Sequence, residues 1–341
     1  MAKVLVTGGS GYIGSHTIVS LIEAGHEVIS IDSFDNSYAD VFEGIKKITS
    51  VNVLNIEVDL RDGVATAKAL NDHHDVDAII HFAALKAVNE SVEHPRMYFD
   101  NNMKSLLHIL QFAEEAAVQH FVFSSSCTVY GIPEVIPVTE ESPLQPANSP
   151  YGRTKQLGED MLRDMASHTD MNVLSLRYFN PAGAHPSGII GEESKKPALN
   201  LVPVITETAI GKRESCTVYG DDYDTRDGSC IRDYIHVVDL AEAHVKALDF
   251  MLMDKGTEDF EVFNLGIGDG VTVLEAIKAF EKIADTQLNY KIGPRREGDV
   301  PAIYSTLKKA NEVLGWSPKY SIVDIMETAW AWEQVLAARN R

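Results

Sequence analysis

Tyr151 and Lys155 stand four residues apart in the stretch Ser149-Pro150-Tyr151-Gly152-Arg153-Thr154-Lys155. Ser149 suits a helix N-cap, and Pro150 suits the first helical position, where its missing N–H would be unpaired anyway. The stretch therefore predicts a helix start with the phenol and the ammonium on one face. Unpaired backbone N–H groups there favour negative charge. A tyrosine so placed can take a proton. An unperturbed phenol has a pKa of about 10, so work near pH 7 needs roughly 4 kcal/mol of preference for the phenolate. The helix end and one cation do not supply that, and a second cation is expected.

The other end of the chain suggests its source. Lys3 to Thr7 reads as a buried strand, followed by Gly8-Gly9-Ser10-Gly11-Tyr12-Ile13-Gly14,. A helical stretch then runs to Ala24 with Gly25 as its stop, and a strand from Glu27 to Ile31 ends in Asp32,. Gly8 and Gly11 would let the backbone turn and approach a pyrophosphate, and Gly14 would let helix and strand pack closely. Asp32 would accept from a ribose hydroxyl and repel a 2′-phosphate, which favours NAD over NADP. A positive nicotinamide is the second cation sought. The scheme is then a hydride exchange with Tyr151 as base. Lys155 tunes Tyr151, and Ser126 hydrogen-bonds the substrate oxygen.

These residues need a scaffold, and the chain alternates strands with helices. Strands are expected at Val53–Val58, Ala78–Phe82, Phe121–Ser124 and Val173–Tyr178, and helices at Val64–Asn71, Pro95–Val118 and from Ser149. Alternation of this kind means an α/β fold with a doubly wound, Rossmann-type parallel sheet. Ligands then bind at the carboxyl ends of the strands, where Asp59, Ala83–Lys86 and Ser124–Ser126 fall. From about residue 184 the pattern becomes loop-rich. We expect an NAD-binding domain over 1–183, to which the chain returns at about 233–263, and a smaller α/β substrate-binding domain mainly over 184–341. Asp233–His236 is read as a strand rejoining the sheet, followed by a helix over Leu240–Met253. Two more helices are expected near Val273–Ile283 and Ile322–Val335, with the loop Pro294–Asp299 between them.

The 341 residues carry a formal net charge of −20, which argues against nucleic acid or an anionic membrane as partner,. Cys127, Cys216 and Cys230 are few and scattered, which fits a reducing compartment,. The start Met1-Ala2-Lys3 does not read as a signal peptide, and no apolar run has membrane-spanning length,. A cytoplasmic protein is expected. His73-His74-Asp75 reads as a solvated helix end rather than a metal site, since adjacent side chains do not share a helix face.

The glycine segment, Tyr151-x-x-x-Lys155 and Ser124–Ser126 resemble the extended short-chain dehydrogenase/reductase superfamily. Further matches are His81–Val88, Asp100–Asn102, Ser124–Gly131, Arg177–Pro181, Ala184–Gly188, Arg232–His236 and Arg295–Asp299. Together they make nearly the whole chain resemble the UDP-glucose 4-epimerase family. That resemblance implies isomerisation of UDP-galactose and UDP-glucose through a 4-keto sugar, with NAD tightly bound because each turnover regenerates it. It implies cofactor contacts from Gly8, Gly11, Tyr12, Ile13, Gly14, Asp32, Asn36, Asp59, Leu60, Phe82, Ala83, Lys86, Asn101, Ser124, Tyr151, Lys155 and Tyr178. It implies UDP-sugar contacts from Lys86, Ser126, Tyr151, Asn180, Asn200, Leu201, Tyr219, Arg232, Arg296 and Asp299. Arg232 and Arg296 make physical sense as diphosphate clamps in an acidic protein. A homodimer through the helices near Pro95–Val118 and Ser149–Ser167 is also implied.

Three departures from the family pattern matter. Ala84 replaces a common glycine, Cys127 a common alanine, and Ile303 is intermediate in size where the room around the sugar's C2 substituent is set. Acceptance of UDP-N-acetylhexosamines therefore stays open. A nucleotide-sugar 4,6-dehydratase would need an Asp-Glu pair beside Ser126, where this chain has Cys127-Thr128. A decarboxylase would need a site for the sugar carboxylate, and none is identified. A dinucleotide-sensing module would have no use for Tyr151, Lys155 and Ser126 together.

Overall fold

The computed structural model describes residues 1–253, 255–256, 258–296 and 299–339. Strands β1 to β6 span Lys3–Thr7, Glu27–Asp32, Leu54–Glu57, Ala78–His81, His120–Ser126 and Asn172–Tyr178. Shorter strands follow: β7 Asn180–Ala182, β8 Cys216–Tyr219, β9 Ile231–Arg232, β10 Tyr234–His236, β11 Phe260–Leu265, β12 Val271–Thr272, β13 Tyr290–Gly293 and β14 Ala302–Ile303. The helices are α1 Tyr12–Glu23, α2 Val41–Thr49, α3 Gly63–Leu70, α4 Val88–Glu93, α5 Pro95–Glu115, α6 Pro150–His168, α7 Leu201–Ala209, α8 Val237–Leu252, α9 Val273–Ala284 and α10 Ile322–Ala338.

Among the described residues the largest sheet has seven parallel strands in the order β11-β6-β5-β4-β1-β2-β3. Strand direction of growth reverses between β1 and β4, which opens a crevice at the carboxyl ends. The near-continuous apolar strands are explained by burial on both faces. Val4, Val6, Ile80 and Val122 point to one layer with Ile18 and Leu21 of α1 and Leu240 and Leu248 of α8. Leu5, Ile79, Phe121 and Phe123 alternate to the other, with Leu106 and Leu110 of α5 and Leu162 of α6,. The doubly wound α/β reading of the sequence is correct. A separate core gathers Val202 and Ile205 of α7, Ile277 and Phe280 of α9 and Ile325 and Met326 of α10.

Two readings are corrected. Tyr234–His236 does not rejoin the large sheet; it pairs in parallel with Asn180–Ala182 as a two-stranded sheet. The seventh strand is Phe260–Leu265, whose polar Glu261 and Asn264 hide its strand character in the sequence. Leu107 of α5 is half exposed.

Asp233, between β9 and β10, fastens this outer region to the sheet. Its carboxylate accepts from Ile267 N at 2.7 Å, Gly268 N at 3.4 Å and Ser305 N at 3.2 Å, and it is fully buried. A Cβ at Gly266 would lie 2.2 Å from its Oδ2, so that glycine makes room for it. Asp233→Ala strands several buried donors. It is expected to cost roughly 2–4 kcal/mol of unfolding free energy in urea titration.

Candidate active site

Helix α6 begins as the sequence predicts. Ser149 Oγ accepts from Gly152 N at 3.1 Å, and Pro150 holds the first position. The helix then lies very close to β5. A Cβ at Gly158 would come within 2.7 Å of the Phe123 ring, and one at Gly152 within 3.1 Å of Thr128 O. That approach lets Lys155 reach back to donate to Ser124 O at 2.5 Å, with its Nζ 5.9 Å from the centre of the Tyr151 ring. The Tyr151 phenol is buried beside the Ser126 side chain, whose interaction pulls the phenol down. Ser126 Oγ also accepts from Thr128 N at 3.3 Å, which starts the 3-10 turn Cys127–Tyr130. Ser124 Oγ and Tyr178 OH are hydrogen-bonded across β5 and β6.

The electrostatics differ from the sequence expectation. Burial pushes the Tyr151 phenol up to about 12, against the opposing pull of the neighbouring Ser126 hydroxyl. Burial also pulls Lys155 down to about 7, while Glu159 pulls it up. Loss of hydration outweighs the helix end and the single ammonium. The requirement for a further positive charge at the phenol is therefore sharper than the sequence suggested.

The fit of a dinucleotide can be judged on the crevice itself. Gly8 has φ +70°, and a Cβ there would lie 2.9 Å from Ala83 N. A Cβ at Gly14 would lie 2.3 Å from Gly8 O, and one at Gly11 3.1 Å from the same oxygen. The first turn of α1, with Tyr12 and Ile13, has no acidic residue and no side-chain cap at Gly11, so its N–H groups can meet an anion,. Asp32 ends β2 and is oriented by Ser10 N at 3.1 Å and Phe34 N at 2.9 Å, which leaves lone pairs for a ribose,. These features fit NAD.

The other predicted cofactor residues line the neighbouring strand ends. Arg61 clamps Asp59 through Oδ2 at 2.6 Å and holds its carboxyl below the usual range, while Leu60 is buried and accepts from His108 through its carbonyl at 2.6 Å. Asn36 is exposed and accepts from Ser194 Oγ at 2.9 Å. The Phe82 ring packs 4.8 Å from His244, which also touches Tyr178. Ala83 N donates to Thr7 Oγ1 at 3.2 Å. Lys86 lies 5.8 Å from the Tyr12 ring and pairs with Glu192 at 3.1 Å. Asn101 donates to Asn102, and Asn102 bonds Leu85 N at 2.8 Å, Leu85 O at 3.0 Å and Thr154 Oγ1 at 3.0 Å. Asn102 thus ties α5, the β4 loop and α6 together, a role that the sequence reading missed although it quoted the residue.

The predicted substrate residues form a second group. Arg232 donates to Asp299 at 2.8 Å and to the carbonyls of Ile231 and Val300, and Arg296 stacks 4.2 Å from the centre of the Tyr219 ring. Arg232 therefore enters any diphosphate contact with part of its fork already engaged. Asn200 precedes α7, and its Nδ2 is 3.4 Å from Glu192, while Leu201 opens the helix. Asn180 begins β7, its N donating to Asp233 O at 3.0 Å. Ile303 pairs in register with Arg232 and is buried with Cys127, Val138 and Phe179. Glu297 and Gly298 of the predicted loop lie outside the described residues. Cys216 and Cys230 are both free and buried.

Comparison with known proteins follows the same lines. A family model described as GDP-mannose 4,6 dehydratase matches residues 5–329. The UDP-glucose 4-epimerase of Bacillus subtilis is 44% identical over 331 residues, 97% of this chain and 96% of that one. The crystal structure of the UDP-glucose 4-epimerase of Bifidobacterium longum, in complex with NAD+ and UDP, has a TM-score of 0.93 at 43% identity and covers 98% of both chains. That of Stenotrophomonas maltophila, with NAD and formylated UDP-arabinopyranose, has a TM-score of 0.95 at 41% identity, covering 99% of this chain and 100% of the other.

Gly14→Ala is expected to weaken dinucleotide retention about 10- to 100-fold, because its Cβ collides with rigid backbone at Gly8,. The cofactor content of the gel-filtered protein, read by absorbance, checks this.

Proposed function

Because this chain belongs to the UDP-glucose 4-epimerase family, we propose that it interconverts UDP-galactose and UDP-glucose by transient oxidation at hexose C4. The observation that carries this reading is the buried Tyr151 phenol beside Ser126, with Lys155 Nζ 5.9 Å from its ring centre, at the strand ends next to the glycine cradle. NAD held by Gly8, Gly11, Gly14 and Asp32 supplies the acceptor, and afterwards the donor, of the C4 hydride.

The chain's own residues do the rest. Tyr151 takes the proton of the C4 hydroxyl as C4 is oxidised and returns it on reduction from the other face, so it is a reversible shuttle. Ser126 bonds the same oxygen and holds it toward the phenol. Lys155, with the positive nicotinamide ring, offsets the burial that pushes the phenol up,. Arg232, Arg296 with Tyr219, Asn180, Asn200, Leu201 and Asp299 grip the UDP moiety, while the keto sugar turns in the site. The name of the matching family model includes a dehydratase, but the turn after Ser126 carries Cys127-Thr128 and no carboxylate to expel water. Residues 1–183 serve the cofactor and 184–341 mainly the UDP-sugar.

Two further statements belong to the same reading. The chain forms a homodimer through α5 and α6, which pack together and present the half-exposed Leu107. It works in the cytoplasm, which suits three buried free thiols. No described helix is long and apolar enough to cross a membrane. A second reading keeps the chemistry and admits UDP-N-acetylhexosamines, because buried Ile303 is intermediate in bulk beside Cys127 and Arg232. Turnover of UDP-N-acetylgalactosamine decides between the two.

Incubation with UDP-galactose and no added cofactor is expected to yield UDP-glucose, and a folded, NAD-loaded sample without turnover sinks the reading. A 4-keto-6-deoxy product would favour the dehydratase. Tyr151→Phe is expected to lower kcat by about 10²- to 10⁴-fold with NAD content unchanged. Survival of activity would remove Tyr151 from the mechanism.

A further inference from the structure

A buried polar network that this mechanism does not use lies one turn beyond Lys155 on α6. Glu159 is 1% exposed and Arg177 of β6 is 2% exposed. Their pairing is bidentate: Arg177 Nε donates to Oε1 at 2.8 Å and Nη2 to Oε2 at 2.5 Å. The same Oε1 accepts from Ser125 Oγ of β5 at 2.6 Å and from Ser175 Oγ of β6 at 3.0 Å. One carboxylate thus fastens α6 to two adjacent strands. Its contact on β5 is the residue between Ser124, which accepts from Lys155, and Ser126, which lies beside the Tyr151 phenol.

The network also grips the chain after Ser126. Arg177 Nη1 donates to Tyr130 OH at 3.0 Å, and Tyr130 donates to Asn264 Oδ1 of β11 at 2.7 Å. Ser126 is therefore bracketed, by Ser125 before it and by the Cys127–Tyr130 turn after it. Lys155 and Glu159 sit at i and i+4, so successive turns of α6 are pinned to successive residues of β5. Fold stability does not by itself call for this arrangement. A buried ion pair replaced by apolar residues of similar volume is often neutral or stabilising, because desolvation of both charges is costly.

We infer that Glu159, through its bonds to Ser125 and Arg177, is a positioning residue that sets the register of α6 on β5 and so the placement of Tyr151 and Lys155 against Ser126. This rests on the epimerase reading and deepens it. Glu159 touches neither sugar nor cofactor; it acts through the three residues that do. It is also a negative charge that pulls Lys155 up. The other groups facing Lys155 are the Tyr151 phenol and His81 of β4, which burial keeps neutral. Without Glu159 the lysine loses its proton at lower pH.

The test uses the full chain with its bound cofactor. In the paired variant Glu159→Met/Arg177→Met, kcat with UDP-galactose is expected to fall about 100-fold, the size of effect that a small misplacement produces. KM is expected to stay within threefold, with NAD retained and the alkaline limb of the kcat profile moved to lower pH. Ser125→Ala removes one hydroxyl and leaves the ion pair intact, and kcat is expected to fall about tenfold. A folded pair with unchanged kcat and pH profile overturns the inference, as does a kcat per folded molecule equal to that of the parent. If the pair does not fold, Ser125→Ala decides, and parental kcat there overturns the inference. Parent protein inactive on UDP-galactose removes the epimerase reading and this inference together. An active parent with unaffected variants removes the inference alone.

Discussion

The site depends on how closely α6 can lie on β5. Gly152 and Gly158 have no Cβ where one would meet the Thr128 carbonyl and the Phe123 ring. Without that approach, Lys155 could not reach Ser124 O, and the phenol of Tyr151 could not lie beside Ser126. A helix packed at an ordinary distance would carry the same residues out of bonding range. The N-cap at Ser149 then fixes where the helix starts, so Tyr151 falls at the strand end rather than above the sheet,.

The same closeness creates the electrostatic problem that the chemistry must solve. Dry packing raises the phenol and lowers the ammonium, so the bare chain opposes both charged forms,. On the proposed reading, a dinucleotide held at the glycine cradle of Gly8, Gly11 and Gly14 would supply the positive charge that reverses that preference.

Much of this was legible in the sequence. Gly8–Gly14 with Asp32, and Ser149 through Lys155, are local patterns whose geometry follows from residue type and spacing. The parallel sheet followed from alternation of apolar strands and amphipathic helices. What stayed hidden depends on contacts between distant segments. Tyr234–His236 pairs with Asn180–Ala182, a partner that no periodicity can name. Phe260–Leu265 mixes polar and apolar residues at the sheet edge and gives a weak strand signal. Glu159, at i+4 from Lys155, carries no local signal of its role, because Arg177 and Ser125 that close on it come from distant strands. Asn102 was overlooked for its neighbour Asn101 because only the fold reveals which side chain faces the β4 loop.

The central claim is that oxidation and re-reduction at C4 occur on one bound sugar, with Tyr151 moving only the hydroxyl proton. It is tested most directly with UDP-galactose carrying deuterium at hexose C4, converted in ordinary water by the protein as purified. The account predicts that the UDP-glucose formed keeps deuterium at C4. Replacement of that deuterium by a proton from solvent would contradict it.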